Sequence, residues 1–500
     1  MSVVPLGDIP RIYAARTPDL PALIYPDATL TWAQLEHRAS QRARMLGARG
    51  VAKGDFVTLA VGNSALFYEA TFALWKLGAC PNVVSSRLPA HELKAIVELV
   101  RPKVVITEVP APDLGRPCIA ADADTTAYSA APIDSQVHAH WKAMTSGGST
   151  GRPKVIVDNT PAEVDLDPSQ SALYQHLRIA PGMVILNPGP LHHNGPFLFT
   201  ELGLFVGCKV VGMTRFDAEE SLRLIEEHAV NWVTFVPTMM HRIMALPASV
   251  RDRYDLSSLR IIWHMAAACP VWLKERWIDW LGPDRIWELY GGTEGIGGTE
   301  INGREWLQKR GSVGRPTSWT TLKVAAEDGR LCAPGEIGEL FFLPPDPAPS
   351  HYLGAEFRQD AEGWKSLGDL GSVDEDGYVF LADRRTDLII RGGANIYPAE
   401  VEAALDANDQ VASSVVISLP CPELGHRVHA IVQPRDGMKL DLQALRAFAG
   451  QRLARYKLPE SFEFASSPLR DDAGKVRRSA LRAERLAWLA EGREFRLLLD

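Results

Sequence analysis

Thr145-Ser146-Gly147-Gly148-Ser149-Thr150-Gly151-Arg152-Pro153-Lys154 gathers small residues, hydroxyls and a closing cation into ten positions. Such a loop can wrap an oxyanion. Glycines let the backbone approach closely and aim its N–H groups, hydroxyls add donors, and a lysine supplies charge for a polyphosphate. A flexible polar turn has a similar composition. Two sharper alternatives fail on spacing and context. Lys154 follows Pro153 and does not close a Gly-Lys-Ser/Thr end, so the P-loop spacing is not met. Residues 147–151 spell G-x-S-x-G, but a nucleophile elbow needs a helix after the serine, and Pro153 with strand-like KVIVD (154–158) stands there instead.

Outward from the loop, short apolar runs bounded by turn residues read as strands: FVTLAV (56–61), KVVIT (103–107), MVILN (183–187), KVVGM (209–213), WVTFV (232–236) and RIIW (260–263). AHELKAIVELV (90–100) and DAEESLRLIEEHA (217–229) carry helical periodicity between them. This alternation predicts an α/β fold, with a large N-terminal domain of parallel sheets and helices. From about residue 320 to 383, Gly-Asp and Asp-Gly reversals between short strands predict an antiparallel β subdomain. After Asp383 a unit of helix, two strands, helix and a basic glycine-containing tail predicts a small α+β C-terminal domain. The expected division is therefore 1–383 and 384–500.

Composition narrows the function. Five hundred residues call for two or more domains. A net charge of −8 offers no broad basic surface for nucleic acid and favours a small-molecule partner. The six cysteines are scattered singly, at no metal-ligand spacing, so reduced thiols are expected. No apolar span is long enough for stable membrane insertion and no leader pattern opens the chain, which leads to a cytoplasmic expectation. A homodimer is compatible with the sequence.

The decapeptide resembles the phosphate-binding signature of the adenylate-forming superfamily, which includes acyl- and aryl-CoA synthetases, luciferases and peptide-synthetase adenylation domains. Later segments match in order. Tyr290-Gly291-Gly292-Thr293-Glu294 is similar to the family's YGxTE segment, Gly368-Asp369 to its GD segment, and Asp383-Arg384-Arg385-Thr386-Asp387 to the GRxKD hinge. In that hinge Asp383 replaces a glycine, and Thr386 stands where Lys or Asp is usual. Arg391-Gly392-Gly393-Ala394-Asn395-Ile396 resembles the GGxNI segment of the pantetheine tunnel, and Lys475 in Gly474-Lys475-Val476 matches the catalytic lysine. The resemblance runs from about residue 10 to about 485. It leaves EGREFRLLLD outside, as a docking tail or a frayed end.

The resemblance implies an AMP-forming acid–CoA ligase: a carboxylic acid and ATP give an acyl-adenylate and pyrophosphate, and CoA then displaces AMP after the C-terminal domain rotates about Thr386. It implies ATP, Mg²⁺ and coenzyme A as partners of the acid. Thr145, Ser146, Gly147, Gly148, Ser149, Thr150, Gly151 and Lys154 would hold phosphates, with Thr150 and Glu294 toward the metal. Ala267, Ala268, Tyr290, Gly291 and Gly292 would line the adenine, and Asp369 and Arg384 the ribose. Arg391, Gly392 and Gly393 would form the CoA tunnel, while Lys475, Glu294, Thr293 and His193 would carry the chemistry. A metal and a lysine suit that chemistry, because carboxylate attack on the α-phosphate brings like charges together. The acid pocket is drawn from His193, Trp232, Phe235, Val236, His264, Ala266 and Gly291, which points to a hydrophobic acid of cyclic type, aromatic or steroid-like. A carrier-protein phosphopantetheine or an amine as acceptor, and a nucleotide-binding regulator without catalysis, are the alternatives. Lys154, Glu294 and Lys475 speak against the last of these.

Overall fold

The computed structural model describes all residues except 1–2, 27, 109–113, 148–152, 346, 385–386, 392–393, 422–424, 436, 472–473 and 499–500. The α/β expectation holds. Pro21–Tyr25, Lys209–Gly212, Val184–Asn187, Trp232–Phe235, Ile261–His264 and Ile286–Gly291 lie side by side in parallel, inside a nine-stranded sheet. Their largely apolar runs fit strands covered on both faces, as crossover helices require. A second, seven-stranded sheet runs Ser350–Leu353, Pro153–Asp158, Ala143–Gly147, Cys80–Val83, Phe56–Ala60, Val105–Thr107 and Cys118–Ala120.

The crossover helices follow from local sequence. In Ala218–His228, Asp217 caps the first turn by accepting from the Glu220 amide at 2.9 Å. In Ala90–Val100, Leu93, Ile96, Val97 and Val100 recur at helical spacing and are the buried residues. Each large apolar side chain taken out of water this way contributes about 1.5–3 kcal/mol.

Val184–Asn187 has Lys209–Gly212 on one side and Trp232–Phe235 on the other. The chain therefore turns to opposite sides of the sheet after successive strands. Ligands of open α/β sheets bind outside the carboxyl ends of strands at such a reversal. Residues 188–193, 236–238, 265–270 and 292–295 leave the carboxyl ends of four of these strands, and the site is built there.

Thr321–Ala325, Gly338–Leu343, Lys365–Val373, Arg358–Gln359 and Val379–Arg384 form the expected antiparallel sheet. One strand of that stretch departs from the expectation. Ser350–Leu353 pairs with Pro153–Asp158 in the seven-stranded sheet, Tyr352 opposite Ile156. Toward the C-terminus, the helices Pro398–Asp406 and Leu442–Gly450 pack on a sheet ordered Val411–Cys421, Gly425–Pro434, Ser461–Phe464 and Leu497–Leu498. The tail docks: Leu497 pairs with Phe462, and Phe495 packs edge-on to His429 and Trp488.

Candidate active site

Ala143–Gly147 and Pro153–Asp158 form an antiparallel hairpin, Ser146 opposite Lys154 and Gly147 opposite Pro153. Gly148, Ser149, Thr150 and Gly151, between these two strands in sequence, lie outside the described residues. Thr145 Oγ1 accepts from the Asn82 amide at 3.2 Å, which ties the base of the loop to the neighbouring strand. Lys154 comes back up the second arm to Glu294, with Nζ 3.3 Å from Oε1.

Glu294 closes a tight turn in which the Gly295 amide donates to the Gly292 carbonyl at 3.1 Å. Its carboxylate accepts from the Tyr352 hydroxyl at 2.6 Å, and Lys154 Nζ donates to that hydroxyl at 3.0 Å while standing 4.3 Å above the ring. Burial, and then the neighbouring carboxylate, push the Tyr352 phenol up, so it stays a donor. The Ser350 hydroxyl donates to the Glu294 carbonyl at 2.6 Å. Tyr352 and Ser350 escaped the sequence reading; only the strand swap into the other sheet brings them here.

Thr293 sits in the same turn, after Gly291 and Gly292. Tyr290 donates its hydroxyl to Asp369 Oδ2 at 2.8 Å, which joins the expected adenine and ribose groups. Asp369 lies opposite Arg384 in register, so backbone pairing alone brings these two positions together. Ala266, Ala267 and Ala268 follow the strand Ile261–His264; Ala266 has a φ of 73°, a conformation that favours glycine.

His193 stands at the N-terminal boundary of the helix Asn194–Phe205, its ring 4.4 Å from that of His192. Burial first, then His192, then Lys475 push the imidazole down to about 2, so it is neutral. Lys475, far along the chain, thus acts electrostatically on His193. The tail that carries it is held by a turn in which Asp471 Oδ1 accepts from the Lys475 amide at 2.8 Å. Gly474, at a φ of 74°, sits so close to the N-terminal domain that a β-carbon there would begin 2.8 Å from Thr238 Oγ1 and 3.5 Å from Val236 Cγ2.

Three residues expected in the acid pocket, Trp232, Phe235 and His264, are buried. Alternate residues of a strand point to opposite faces. Trp232 packs on Phe199 with its indole N–H on the Leu177 carbonyl, and Phe235 packs on Trp277 in the other core. Both are 1% exposed and belong to separate core clusters. His264 is fully buried beside Lys274 and Glu288, and that burial keeps it neutral. Gly195, two residues after His193, faces Met265: a β-carbon there would meet Met265 Sδ at 3.6 Å.

Arg391 donates to Glu460 Oε1 at 2.6 Å and to the Tyr456 carbonyl at 3.1 Å, at the hairpin Ile389–Arg391 with Ala394–Ile396. Gly392, Gly393 and the hinge residues Arg385 and Thr386 lie outside the described residues.

Glu294 fits a magnesium ion. Mg²⁺ is held by one or two carboxylates, with phosphate and water oxygens completing its shell. Among the described residues no cluster of three or more His, Cys, Asp or Glu side chains forms a dedicated cage, and the Glu294 carboxylate is pre-placed beside the phosphate hairpin.

Residues 11–348 match the model of the AMP-binding enzyme family, and residues 400–475 that of the AMP-binding enzyme C-terminal domain. The chain belongs to this family. It is 32% identical to the 2-succinylbenzoate–CoA ligase of Bacillus licheniformis, over 94% of this chain and 98% of that one. It is also 32% identical to a feruloyl-CoA synthase of Amycolatopsis, over 95% and 98%. Among solved structures it superposes on the o-succinylbenzoate CoA synthetase of Bacillus subtilis bound to its acyl-adenylate, with a TM-score of 0.82, 27% identity and coverage of 96% and 99%. That enzyme is also solved with ATP and a magnesium ion, at a TM-score of 0.80, 26% identity and coverage of 96% and 100%. This member of the adenylate-forming superfamily is an AMP-forming acid–CoA ligase that uses ATP, Mg²⁺ and coenzyme A. No helix among the described residues is long and apolar enough to cross a membrane.

Proposed function

We propose that the ligase activates a hydrophobic, cyclic acid, aromatic or steroid-like, and that the residues gathered at the strand ends carry the first half-reaction. The observation behind the assignment is the close approach of Gly474, next to Lys475 on the C-terminal unit, to Val236 and Thr238 at the carboxyl end of the strand Trp232–Phe235. A compact cation on a flexible stem can reach both the acid carboxylate and the α-phosphate. Neutral His193 shapes the mouth of the acid site without adding charge. Lys154 and the Thr145–Gly151 hairpin hold the outer phosphates, Tyr290 and Ala266–Ala268 flank the adenine, and Asp369 with Arg384 takes the ribose. Glu294, with Thr150, would hold Mg²⁺, which neutralises phosphate charge as the acid attacks.

The acid oxygen bonds to the α-phosphorus and pyrophosphate leaves; the CoA thiolate then bonds to the acyl carbon and AMP leaves. In this reading the C-terminal unit from Arg384 onward turns at Thr386 between the two steps, and Arg391, Gly392 and Gly393 then line the thiol path. Small side chains at Ala266, Ala267 and Ala268, and the apolar Met265 and Phe199 that a β-carbon at Gly195 would meet at 3.6 Å, support a ring over a charged or polar acid. The reading also keeps the enzyme cytoplasmic and independent of nucleic acid, with a homodimer as the assembly to check by light scattering.

The test is mass-spectrometric detection of acyl-CoA and AMP after incubation with Mg-ATP, CoA and pooled aliphatic, aromatic and steroid acids. A thioester from the aromatic or steroid pool is expected. A thioester from straight-chain acids alone refutes the pocket assignment.

A further inference from the structure

The helix Pro237–Met244 is touched twice by the C-terminal unit. Its first turn meets Gly474, where a β-carbon would begin 2.8 Å from Thr238 Oγ1. One turn on, His241 Nε2 lies 3.0 Å from Arg435 Nη2, between residues 194 positions apart. Arg435 is itself braced on its own sheet. Its amide donates to the Gln410 carbonyl at 2.9 Å and its Nε to the Val411 carbonyl at 3.4 Å.

An arginine has only donors and keeps its charge, so His241 Nε2 must be the acceptor and the ring must be neutral. The ring stands edge-on to Trp272, with centroids 5.6 Å apart. Arg435 on the strand end, Arg242 on the same helix and Arg276 on the helix Val271–Leu281 are the charged groups that act on it. Protonation would remove the acceptor and set an imidazolium among three guanidinium groups.

We propose that the Arg435–His241 hydrogen bond is a positioning latch, which holds the C-terminal unit in the orientation that delivers Lys475 for adenylation and is released for the thioester step. This rests on the two-orientation reading above. The two contacts share one short helix, so a bond at His241 fixes the angle at which the Gly474–Lys475 turn enters. Burial, and then Arg435, Arg242 and Arg276, push His241 down to about 4 when docked. A histidine freed from Arg435 binds a proton more readily, so acidification from near 6.5 favours the undocked state and weakens the latch.

The half-reactions separate the possibilities, run with the acid that turns over in the pooled screen. Pyrophosphate release reports adenylation, and AMP release on adding CoA to supplied acyl-adenylate reports the thioester step. Arg435→Ala and His241→Phe are expected to slow adenylation about tenfold, the factor carried by a contact of about 1.4 kcal/mol, and to leave the thioester step unchanged or faster. His241→Gln retains an acceptor that does not titrate, so it should keep the wild-type adenylation rate. The fall in the adenylation-to-thioester ratio between about pH 7.5 and 5.5 should shrink with it, because only His241 titrates in the latch. Hydrogen exchange of the Pro237–Met244 amides with Mg-ATP bound should quicken in Arg435→Ala and not in His241→Gln. Equal loss in both half-reactions, or undiminished adenylation in Arg435→Ala, overturns the latch. Lys475→Ala serves as the control: a selective adenylation loss there with none in Arg435→Ala sinks the latch alone, whereas equal losses there sink the two-orientation reading and the latch with it.

Discussion

Lys475 and Tyr352, both assigned here to the adenylation step, were unequally visible in the sequence. Lys475 is legible by order, since Gly474-Lys475-Val476 closes a series of matching segments. Its replacement by alanine should lower pyrophosphate release about 100- to 1,000-fold, the scale for losing one charged transition-state contact, with little effect on CoA capture of supplied acyl-adenylate. Tyr352 carries no local signature; it becomes a site residue because its strand pairs beside Lys154. Tyr352→Phe keeps the ring, which lies 4.3 Å from that of Phe357, and removes only the hydroxyl that holds Glu294. Hydrogen bonds to charged groups contribute about 1.5–3 kcal/mol, so adenylation should slow about 10- to 100-fold and the melting temperature should fall measurably.

At the scale of elements, the turn from Gly292 to Gly295 shows how backbone shape places a carboxylate. A β-carbon at Gly292 would fall 2.5 Å from Glu294 Oε2 and 2.9 Å from Leu367 Cδ1. Gly292→Ala should therefore displace the carboxylate, slowing adenylation about 10- to 100-fold, because a shift near 1 Å at a reacting group is that costly. The unfolding midpoint should change little, since the end of a flexible side chain can move aside; a large drop in stability with intact adenylation would contradict this. The parallel strands themselves were readable, because crossover helices and apolar runs leave two different periodicities in the chain. The departure of Ser350–Leu353 from its neighbours was not, because pairing partners are chosen by tertiary packing.

For the whole molecule, His193, His241 and His264 are held neutral, the first two at about 2 and about 4 and the third well below its ordinary value, with burial the leading cause in each. The unfolded chain protonates histidines near 6.5, so below that pH it binds more protons than the native state. Stability is full above about pH 6.5 and declines as pH falls toward the folded values. Thermal unfolding should show a lower midpoint at about pH 5.5 than at about pH 7.5; an unchanged or higher midpoint at the acid value would refute the assignment.

The sequence by itself determined the α/β class, the order of the phosphate, adenine, ribose and lysine segments, and the family, because these depend on residue type and spacing along one chain. Only the tertiary structure decided that Trp232 and Phe235 belong to separate cores, that Tyr352 holds Glu294, that Arg435 meets His241, and that the last strand docks on Ser461–Phe464. Those facts depend on which face of a strand meets which core and on contacts between distant residues, and neither leaves a periodicity to read.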